Sequence, residues 1–205
     1  MVELQLRARG IRDARVLAAF AKVPRDEFVL PELRDRAYED TPLAIGHGQT
    51  ISQPYVVAMT AEALHFVGGE RVLDVGTGSG YAAAILATLA GTVDTIERIA
   101  ELADAARARL ARLGFANVRV HCGDGTLGWP DGAPYDAIAV AANAPRPPAP
   151  LLDQLAVGGR IVLPVGDEHR QRLVRITRQT ETAYAQDDLG EVRFVPLVGE
   201  EGWRR

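Results

Sequence analysis

A glycine-rich turn with an acidic residue at its start is the clearest sign of chemistry in the chain. It reads Asp74-Val75-Gly76-Thr77-Gly78-Ser79-Gly80-Tyr81 and lies between a short apolar run and a helical pattern. Glycines at such a turn let the backbone approach a ligand closely, and the helix that follows presents unpaired N–H groups at its start. The pattern predicts a cofactor site formed by residues 74–80, and Asp74, Gly76, Thr77, Gly78, Ser79 and Gly80 are its candidate residues.

Two further acids are predicted at the same edge of a sheet. Glu97 ends the next apolar run, about 20 residues downstream, where a carboxylate grips a ribose diol in nucleotide-binding folds. Asp124 ends the run after that, between Gly123 and Gly125. We expect Asp124 to accept a hydrogen bond from an exocyclic amino group while the backbone of Gly125 lies against the base. The set therefore predicts a site for ribose and adenine.

The glycine spacing helps to distinguish two cofactor classes. A dinucleotide site usually has the pattern Gly-x-Gly-x-x-Gly, whereas this chain has Gly76-x-Gly78-x-Gly80. Asp74 also precedes the first glycine by two residues, and an acid there does not help to bind a pyrophosphate. A cationic sulfonium cofactor tolerates it, so the residues favour S-adenosyl-L-methionine over a nicotinamide dinucleotide.

The elements that must position these residues alternate in type. Short apolar runs at 72–75, 92–96, 118–121, 138–141 and 161–165 predict buried parallel strands. Helical patterns at 81–89, 101–113 and 151–155 separate them. This alternation predicts an α/β fold with a doubly wound, mostly parallel central sheet and helices on both faces. Three later runs, at 173–177, 182–185 and 191–197, predict antiparallel strands at the edge of that sheet.

The N-terminal part predicts a helical extension. Asp13 is a candidate N-cap for a helix that places Val16, Leu17 and Phe20 on one face, and Pro31 suits the first turn of a second short helix that reaches Tyr38. Residues 41–50 have turn chemistry without a sustained period, and a helix is predicted from Pro54.

Length and composition favour one domain. We expect residues 1–205 to form a single unit: a helical cap and substrate loop at 1–53, a cofactor-binding core at 54–170 and antiparallel strands at 171–205. The single cysteine excludes an internal disulfide, no apolar run reaches 18 residues, and the four histidines lack ligand spacing. With a net charge of −4, we expect a cytoplasmic protein with no metal, membrane or nucleic-acid partner.

Several motifs resemble one family over essentially the whole chain. Residues 72–81 resemble the first motif of class I methyltransferases, and Gly46-His47-Gly48-Gln49-Thr50-Ile51-Ser52-Gln53-Pro54-Tyr55 is similar to the signature of protein-L-isoaspartate O-methyltransferases. Segments 23–25, 36–38, 123–126, 133–136, 158–160 and 195–197, and Trp203, match as well. The resemblance implies a Rossmann-like class I methyltransferase fold and methyl transfer from S-adenosyl-L-methionine to the α-carboxylate of L-isoaspartyl residues. It also implies S-adenosyl-L-homocysteine as product, damaged proteins and peptides as partners, and a cytosolic monomer without metal.

The expected chemistry needs no general base, because a carboxylate acceptor is already ionised at neutral pH. Thr50 and Ser52 are the candidate catalytic residues, since their hydroxyls lie at the start of a helix whose free N–H groups favour negative charge. Ser52 is equally suited to cap that helix, and the two roles do not exclude each other. His47, Ile51 and Gln53 lie in the same loop and are candidate substrate-binding residues.

One departure from the family pattern leaves alternatives open. The segment after the fourth strand reads Ala141-Ala142-Asn143-Ala144-Pro145, where the family commonly has a run of alanines. Asn143 is therefore a candidate substrate-binding residue, or a harmless polar group in a loop. The rival functions are a methyltransferase with another carboxylate or small-molecule acceptor, a nicotinamide-dependent oxidoreductase, and a non-catalytic module that binds S-adenosyl-L-methionine.

Overall fold

A computed structural model describes residues 1–204 and begins with a small helical layer. Helix α1 (Ala14–Lys22) is capped by Asp13, whose side chain accepts hydrogen bonds from the N–H groups of Arg15 and Val16. The predicted cap and the buried face of α1 are therefore confirmed. The second predicted helix is a 3-10 segment, Pro31–Arg36, and it stops short of Tyr38.

A small hairpin follows, where the sequence predicts an irregular loop. Strands β1 (Leu43–Gly46) and β2 (Gln49–Ile51) are antiparallel. His47 and Gly48 join them with φ angles of +52° and +69°, as the two central residues of a tight hairpin turn require. The prediction of a loop was wrong because strands of three and four residues are too short to show a period.

The central sheet has seven strands and is mostly parallel. Its strand order is β5-β4-β3-β6-β7-β8-β9, and the pairs from β5 to β7 are parallel whereas β8 and β9 are antiparallel. The strands are β3 (Arg71–Val75), β4 (Thr92–Glu97), β5 (Val118–Cys122), β6 (Tyr135–Val140), β7 (Leu155–Gly166), β8 (Gln171–Arg178) and β9 (Tyr184–Val192). The predicted fold class is confirmed.

The third predicted C-terminal strand does not form. After β9 the backbone finds other partners: the Phe194 N–H donates to the Gln171 side chain, and the Val195 carbonyl accepts from the Asn143 N–H. Residues 193–197 therefore leave the sheet edge and cross the end of β6.

Helices cover both faces of the sheet. The four longer ones are α1, α2 (Pro54–Ala63), α3 (Tyr81–Leu89) and α4 (Ala100–Arg112), and α5 (Ala149–Asp153) is short. Alternate strand residues divide between two cores: Val72 and Ala137 pack with helices α1–α4, and Leu73 and Ile138 pack with Leu151 of α5. Within residues 1–204 no helix is both long and apolar enough to cross a membrane.

The topology places a crevice at the carboxyl end of β3. From β3 the chain adds β4 and β5 on one side and β6 and β7 on the other. Ligands of open α/β sheets bind at such a reversal of strand order. The glycine turn, the end of β4 and the end of β6 all lie there.

Candidate active site

The crevice opens into a cleft, called here the main cleft. It is lined by residues 49–52, 75–79, 96–98, 141–142 and 195–198, with Val57, Tyr81, Ala82 and Gly125. The cleft thus joins the hairpin, the glycine turn, the ends of three strands and the C-terminal segment. It contains the predicted residues Gly76, Thr77, Gly78, Ser79, Glu97, Gly125, Thr50, Ile51 and Ser52.

The amides of the glycine turn are directed at the neighbouring strand. The N–H groups of Gly76 and Thr77 donate to the Ile96 carbonyl, at 2.9 and 3.3 Å, and the Gly78 N–H donates to Glu97 Oε2 at 2.9 Å. These three donors are therefore not free to cradle a pyrophosphate. This geometry agrees with the glycine spacing, which favours S-adenosyl-L-methionine over a nicotinamide dinucleotide.

Asp74 is a fully buried acid at the base of the turn. Its Oδ2 accepts from the Thr95 hydroxyl, which in turn lies 2.6 Å from the Thr77 hydroxyl. Oδ1 has no hydrogen-bond partner within residues 1–204. The pKa of Asp74 is raised to about 7, mainly by burial, with the Thr95 hydrogen bond lowering it and the nearby charge of Glu97 raising it. A buried carboxylate oxygen that has no hydrogen-bond partner can bind a cationic group of a ligand.

Glu97 lines the main cleft in a fixed orientation. Its Oε2 accepts from the Gly78 N–H and its Oε1 accepts from the Ile99 N–H. Each carboxylate oxygen can accept a second hydrogen bond, so Glu97 can still receive a pair of ligand hydroxyls.

Three predicted cofactor residues do not line the main cleft: Asp74 at the base of the turn, Gly80 and Asp124. Gly80 starts α3 with a φ of +89°, and a Cβ there would lie 3.2 Å from Leu110, so its small size serves the packing of α3 on α4. Asp124 Oδ1 accepts from the Thr126 N–H and hydroxyl, and Oδ2 accepts from the Glu200 N–H. The carboxylate of Asp124 thus holds the C-terminal segment.

Gly125 is required by the strand beneath it. A Cβ at this position would lie 2.6 Å from Val75 Cγ1, which no real side chain tolerates. The loop after β5 therefore runs directly over the end of β3. Its backbone forms one wall of the main cleft.

Two further spaces meet the main cleft at Ser52. The inner pocket lies between α2, α3 and the strands β3 and β6, and Asp74 is the one acid that lines it. The outer groove is lined by Arg9, Pro42, Thr50, Gln53, Tyr55, Met59 and residues 191–195, among others. Ser52 and Ala141 line all three spaces. The hydroxyls of Ser52 and Thr50 form no hydrogen bond within the described part of the chain, so both can bind a ligand.

The start of α2 differs from the expectation in two respects. Gln53, not Ser52, is the N-cap residue, so the capping role of Ser52 was wrong. The helix N–H groups are also not free: Pro54 has none, Tyr55 donates to Asp40 Oδ1, and Val56 and Val57 donate to the Gln53 carbonyl. These amides are therefore not available to bind an anion in the cleft.

Two predicted substrate residues line neither the main cleft nor the outer groove. His47 is exposed at the tip of the hairpin turn. Asn143 is buried, and its Nδ2 donates to the Gly166 carbonyl. Its backbone carbonyl accepts from the Leu197 N–H and from the Trp203 indole. The structure thus places Asn143 where it fastens the C-terminal segment.

Several residues of the site could not be assigned a role from the sequence. Asp40 has no motif that predicts a contact with residues 53–55. Residues 195–198, which line the main cleft, belong to a segment that reads as a strand. A partial signal existed in Val195-Pro196-Leu197, which matches the family without indicating a role. Among residues 1–204, no group of three or more His, Cys, Asp or Glu side chains is placed to hold a metal ion.

Fold and site together define a class I methyltransferase. The family model described as protein-L-isoaspartate(D-aspartate) O-methyltransferase matches residues 1–202. The chain belongs to this family, and it is an enzyme that transfers a methyl group to isoaspartyl residues of damaged proteins.

Relatives and solved structures agree with this assignment. The chain is 62% identical to protein-L-isoaspartate O-methyltransferase 2 of Marinobacter nauticus, over 99% of this chain and 93% of that protein. It is 60% identical to protein-L-isoaspartate O-methyltransferase 1 of Rhodopseudomonas palustris (strain HaA2), over 99% and 83%.

Among solved structures, one protein-L-isoaspartate O-methyltransferase superposes with a TM-score of 0.87 at 30% identity, covering 98% of this chain and 67% of that one. A second, described as that enzyme from Plasmodium falciparum in complex with S-adenosyl-L-homocysteine, gives a TM-score of 0.82 at 29% identity and covers 96% of each chain.

Proposed function

We propose that the main cleft binds S-adenosyl-L-methionine, that the outer groove binds the isoaspartyl peptide, and that methyl transfer takes place where the two meet, at Ser52. The observation that carries this assignment is the position of Ser52, which lines both spaces with a hydroxyl that no other group engages. The recipient carboxylate and the methyl donor must come together at one point, and Ser52 lies at that point.

The residues present fit the cofactor. Asp74 Oδ1 is buried without a partner in the inner pocket beside the cleft, and it suits the α-ammonium group of the methionine part. Glu97 suits the ribose hydroxyls, because it lines the cleft and both of its oxygens are held in place by backbone N–H groups. The backbone of residues 76–79 lies between these two acids, and Gly125 suits the adenine end.

For Asp124 we propose a role at the adenine end that differs from the predicted hydrogen bond to the exocyclic amino group. Its carboxylate binds the Glu200 N–H, so its contribution to the adenine end includes holding the C-terminal segment over the cleft. Gly80 contributes through helix packing, as described above.

The acceptor needs orientation more than activation. When bound, S-adenosyl-L-methionine supplies an electrophilic methyl group on a sulfonium. In our proposal the Ser52 and Thr50 hydroxyls donate to one oxygen of the isoaspartyl carboxylate, and the other oxygen is left free to attack in line. Positioning of two reactants in this way lowers the barrier without proton transfer. The oxygen forms the new O–CH₃ bond as the C–S bond breaks, and the electron pair stays on sulfur.

The outer groove suits an extended peptide. It follows Glu191 and Val192 at the end of β9, which pairs with β8 on one side only, and continues along residues 193–195, which have left the sheet. Main-chain groups along an unpaired edge bind an added strand. Gln53 lines this groove, Ile51 is buried and lines the main cleft, and His47 is exposed on the hairpin tip.

The other predicted functions lose their main support. An alternative acceptor rests on Asn143, which fastens the C-terminal segment and does not line the main cleft. We also propose that the chain acts as a monomer in the cytoplasm and without nucleic acid. Light scattering across a concentration series tests the monomer.

One assay tests acceptor and cofactor together. The purified chain is incubated with methyl-labelled S-adenosyl-L-methionine and two peptides that differ in one L-isoaspartyl or L-aspartyl linkage. We expect base-labile methyl incorporation into the isoaspartyl peptide alone, and a D-aspartyl peptide as a third arm measures selectivity. Binding of S-adenosyl-L-homocysteine without transfer to any peptide would reject the proposed acceptor site and keep the cofactor site.

A further inference from the structure

Asp40 joins three residues of the outer groove. Its Oδ1 accepts from the Tyr55 N–H at 3.0 Å, and its Oδ2 accepts from Gln53 Nε2 at 2.7 Å and pairs with Arg9. The guanidinium of Arg9 also lies 3.6 Å from the centre of the Tyr55 ring. Arg9, Asp40, Gln53 and Tyr55 are called here the Asp40 clamp.

The clamp acts on the segment that would bind the acceptor. Gln53 directly follows Ser52, and Arg9, Gln53 and Tyr55 all line the outer groove together with Thr50 and Ser52. The Asp40 carboxylate thus fixes both the side chain of Gln53 and the first free amide of α2. Ser52 lines the groove and is the residue directly before Gln53, whose side chain Asp40 holds.

The position of Asp40 is itself held from the N-terminal layer. The Ala37 carbonyl accepts from Nε of the fully buried Arg25 at 2.8 Å, and the Tyr38 carbonyl accepts from Gln5 Nε2 at 2.9 Å. The turn that carries Asp40 is therefore tied to two residues of the N-terminal layer, Gln5 and Arg25. This makes residues 1–40 a support for the acceptor side of the enzyme.

The clamp also has an electrostatic consequence. A helix N-terminus attracts anions, and a carboxylate substrate drawn onto the α2 amides would be displaced from the hydroxyls. Asp40 occupies the Tyr55 amide and opposes that attraction, and Arg9 balances the charge of Asp40. The acceptor carboxylate is then left to Ser52 and Thr50.

We propose that Asp40 is a positioning residue for methyl transfer, and that with Arg9 it holds residues 50–53 in the geometry that receives the isoaspartyl carboxylate. The inference rests on the proposed function, because it takes Thr50 and Ser52 as the acceptor site. It assigns the N-terminal residues to peptide binding and not to cofactor binding.

The test compares four variants of the full chain with the wild type. They are Asp40→Ala, Asp40→Asn, Arg9→Met, which keeps the apolar stem beside Tyr55, and Ser52→Ala as a reference. Glu39→Ala is the matched control, because Glu39 is adjacent to Asp40 but forms only an exposed ion pair with Arg36. For each, kcat and KM are measured for the isoaspartyl peptide, the Kd of S-adenosyl-L-homocysteine by calorimetry, and the Tm.

We expect Asp40→Ala to lower kcat/KM for the peptide about 10–100-fold, since hydrogen bonds to a charged group are lost. The Kd of S-adenosyl-L-homocysteine should stay within about twofold. Asp40→Asn should recover part of the loss, because an amide oxygen still accepts from the Tyr55 N–H. Arg9→Met should raise the peptide KM with little change in Tm, as partly exposed ion pairs add little stability. Glu39→Ala should behave as wild type.

The outcomes separate the clamp from the acceptor site. Normal peptide kinetics in Asp40→Ala beside an impaired Ser52→Ala would overturn the clamp alone. Normal kinetics in Ser52→Ala would overturn the acceptor site and the clamp with it. An equal loss of affinity for S-adenosyl-L-homocysteine in Asp40→Ala would show a general structural role and reject positioning. If Asp40→Ala does not fold, Asp40→Asn and Arg9→Met decide the question, and wild-type peptide kinetics in both contradict the proposal.

Discussion

At the residue scale, two unpartnered polar groups of opposite kind face the binding spaces. The Ser52 hydroxyl can donate to an anion, whereas Asp74 Oδ1 can only bind a donor or a cation when it is ionised. S-adenosyl-L-methionine brings an ammonium group and the isoaspartyl peptide brings a carboxylate. S-adenosyl-L-methionine also carries a carboxylate, so charge alone does not assign the two groups, and we assign Ser52 to the peptide because Ser52 lines the outer groove and Asp74 does not.

The first prediction concerns Ser52→Ala. We expect turnover of the isoaspartyl peptide to fall about 10–100-fold, because one hydrogen bond to a charged group is worth about 1.5–3 kcal/mol. The affinity for S-adenosyl-L-homocysteine should change by no more than about twofold. Steady-state kinetics and calorimetry on the same preparation check both. Thr88→Ala, which removes a hydroxyl bonded to the Ile85 carbonyl in α3, is the control, and equal losses of turnover and cofactor affinity in Ser52→Ala would contradict the assigned role.

The second prediction concerns the ionisation of Asp74. Burial raises its pKa to about 7, and pairing with an ammonium group favours the ionised form and lowers the pKa again. The affinity for S-adenosyl-L-homocysteine should therefore rise with pH up to about 7 and release a proton on binding below that pH. Calorimetry in buffers of different ionisation enthalpy measures this release. In Asp74→Asn the affinity should be weaker and independent of pH over the same range.

In the ligand-free chain, the same ionisation has the opposite effect: the free energy of unfolding falls with rising pH, whereas the ligand affinity rises. The pKa of Asp74 is higher in the folded chain than the value of about 3.9 in an unfolded chain. The folded state then binds more protons, so this group makes the free energy of unfolding fall as pH rises from about 4 to about 7, by about 1.4 kcal/mol per pH unit. Urea unfolding at about pH 5 and pH 7 should show a smaller fall for Asp74→Asn than for the wild type. The same fall in both would place the ionisation elsewhere.

At the scale of elements, the glycine turn is built to approach β4 and not to hold a phosphate. Its φ at Gly76 is +95°, and a Cβ there would contact Ala141, which lines the main cleft from β6. The turn therefore joins the two strands on either side of β3. Any side chain at Gly76 both strains the backbone and narrows the cleft.

The third prediction separates these two effects with a pair of glycines. Gly114, after α4, has a φ of +82°, and a Cβ there would meet no atom within 4 Å. Gly76→Ala and Gly114→Ala should each lose about 1–2 kcal/mol of stability in urea unfolding, because both adopt the left-handed conformation. Only Gly76→Ala should weaken the binding of S-adenosyl-L-homocysteine in calorimetry. Equal Kd values for the two variants would show that Gly76 has no role in the cleft beyond its backbone conformation.

The same scale shows what the sequence can predict. Strands β3 to β7 and helices α2 to α4 were predicted correctly in type because each is long enough to show a hydrophobic period or a buried run. The β1–β2 hairpin is too short for either signal, and the turn at His47 lacks the usual Asn or Asp. Residues 193–197 have the composition of a strand, but the Gln171 side chain and the Asn143 backbone take their hydrogen bonds.

The candidate site was predictable where its residues lie at strand ends. Glu97 and the turn at 76–79 line the cleft as the parallel-sheet topology requires. Asp40 was not predictable, since its contacts with Gln53 and Tyr55 depend on how the N-terminal layer packs on the hairpin. Asp124 was predicted to bind the cofactor, and Asn143 was predicted either to bind substrate or to be a harmless loop residue, whereas the side chains of both bind other parts of the chain.

At the scale of the whole molecule, three parts of the chain enclose one reaction space. The N-terminal layer supports the acceptor segment, the sheet core carries the glycine turn, and residues 195–198 form the remaining wall of the main cleft. That wall is fastened at Asn143, whose carbonyl accepts both the Leu197 N–H and the Trp203 indole N–H. Trp203 Nε1 donates at 2.9 Å, so Trp203 secures a wall of the main cleft, which we propose as the cofactor site.

The last prediction tests this coupling with Trp203→Phe, which keeps an aromatic ring and removes the indole donor. Loss of one hydrogen bond is worth about 1 kcal/mol, so amide hydrogen exchange at Leu197 and Asn143 should become about fivefold faster if local opening limits it. The Kd of S-adenosyl-L-homocysteine should rise by about the same factor, because the ligand needs the closed wall. Saturating ligand should restore much of the protection.

The same substitution at the other tryptophan is the control. Trp129 stacks on the His121 ring, 3.9 Å between centroids, and does not line the main cleft. Trp129→Phe should leave both the exchange at Leu197 and the Kd of S-adenosyl-L-homocysteine unchanged, whatever its effect on global stability. If both tryptophan variants weaken the ligand equally, general destabilisation explains the result. If Trp203→Phe accelerates exchange and leaves the Kd unchanged, the wall moves independently of the cofactor, and the C-terminal segment serves the fold alone.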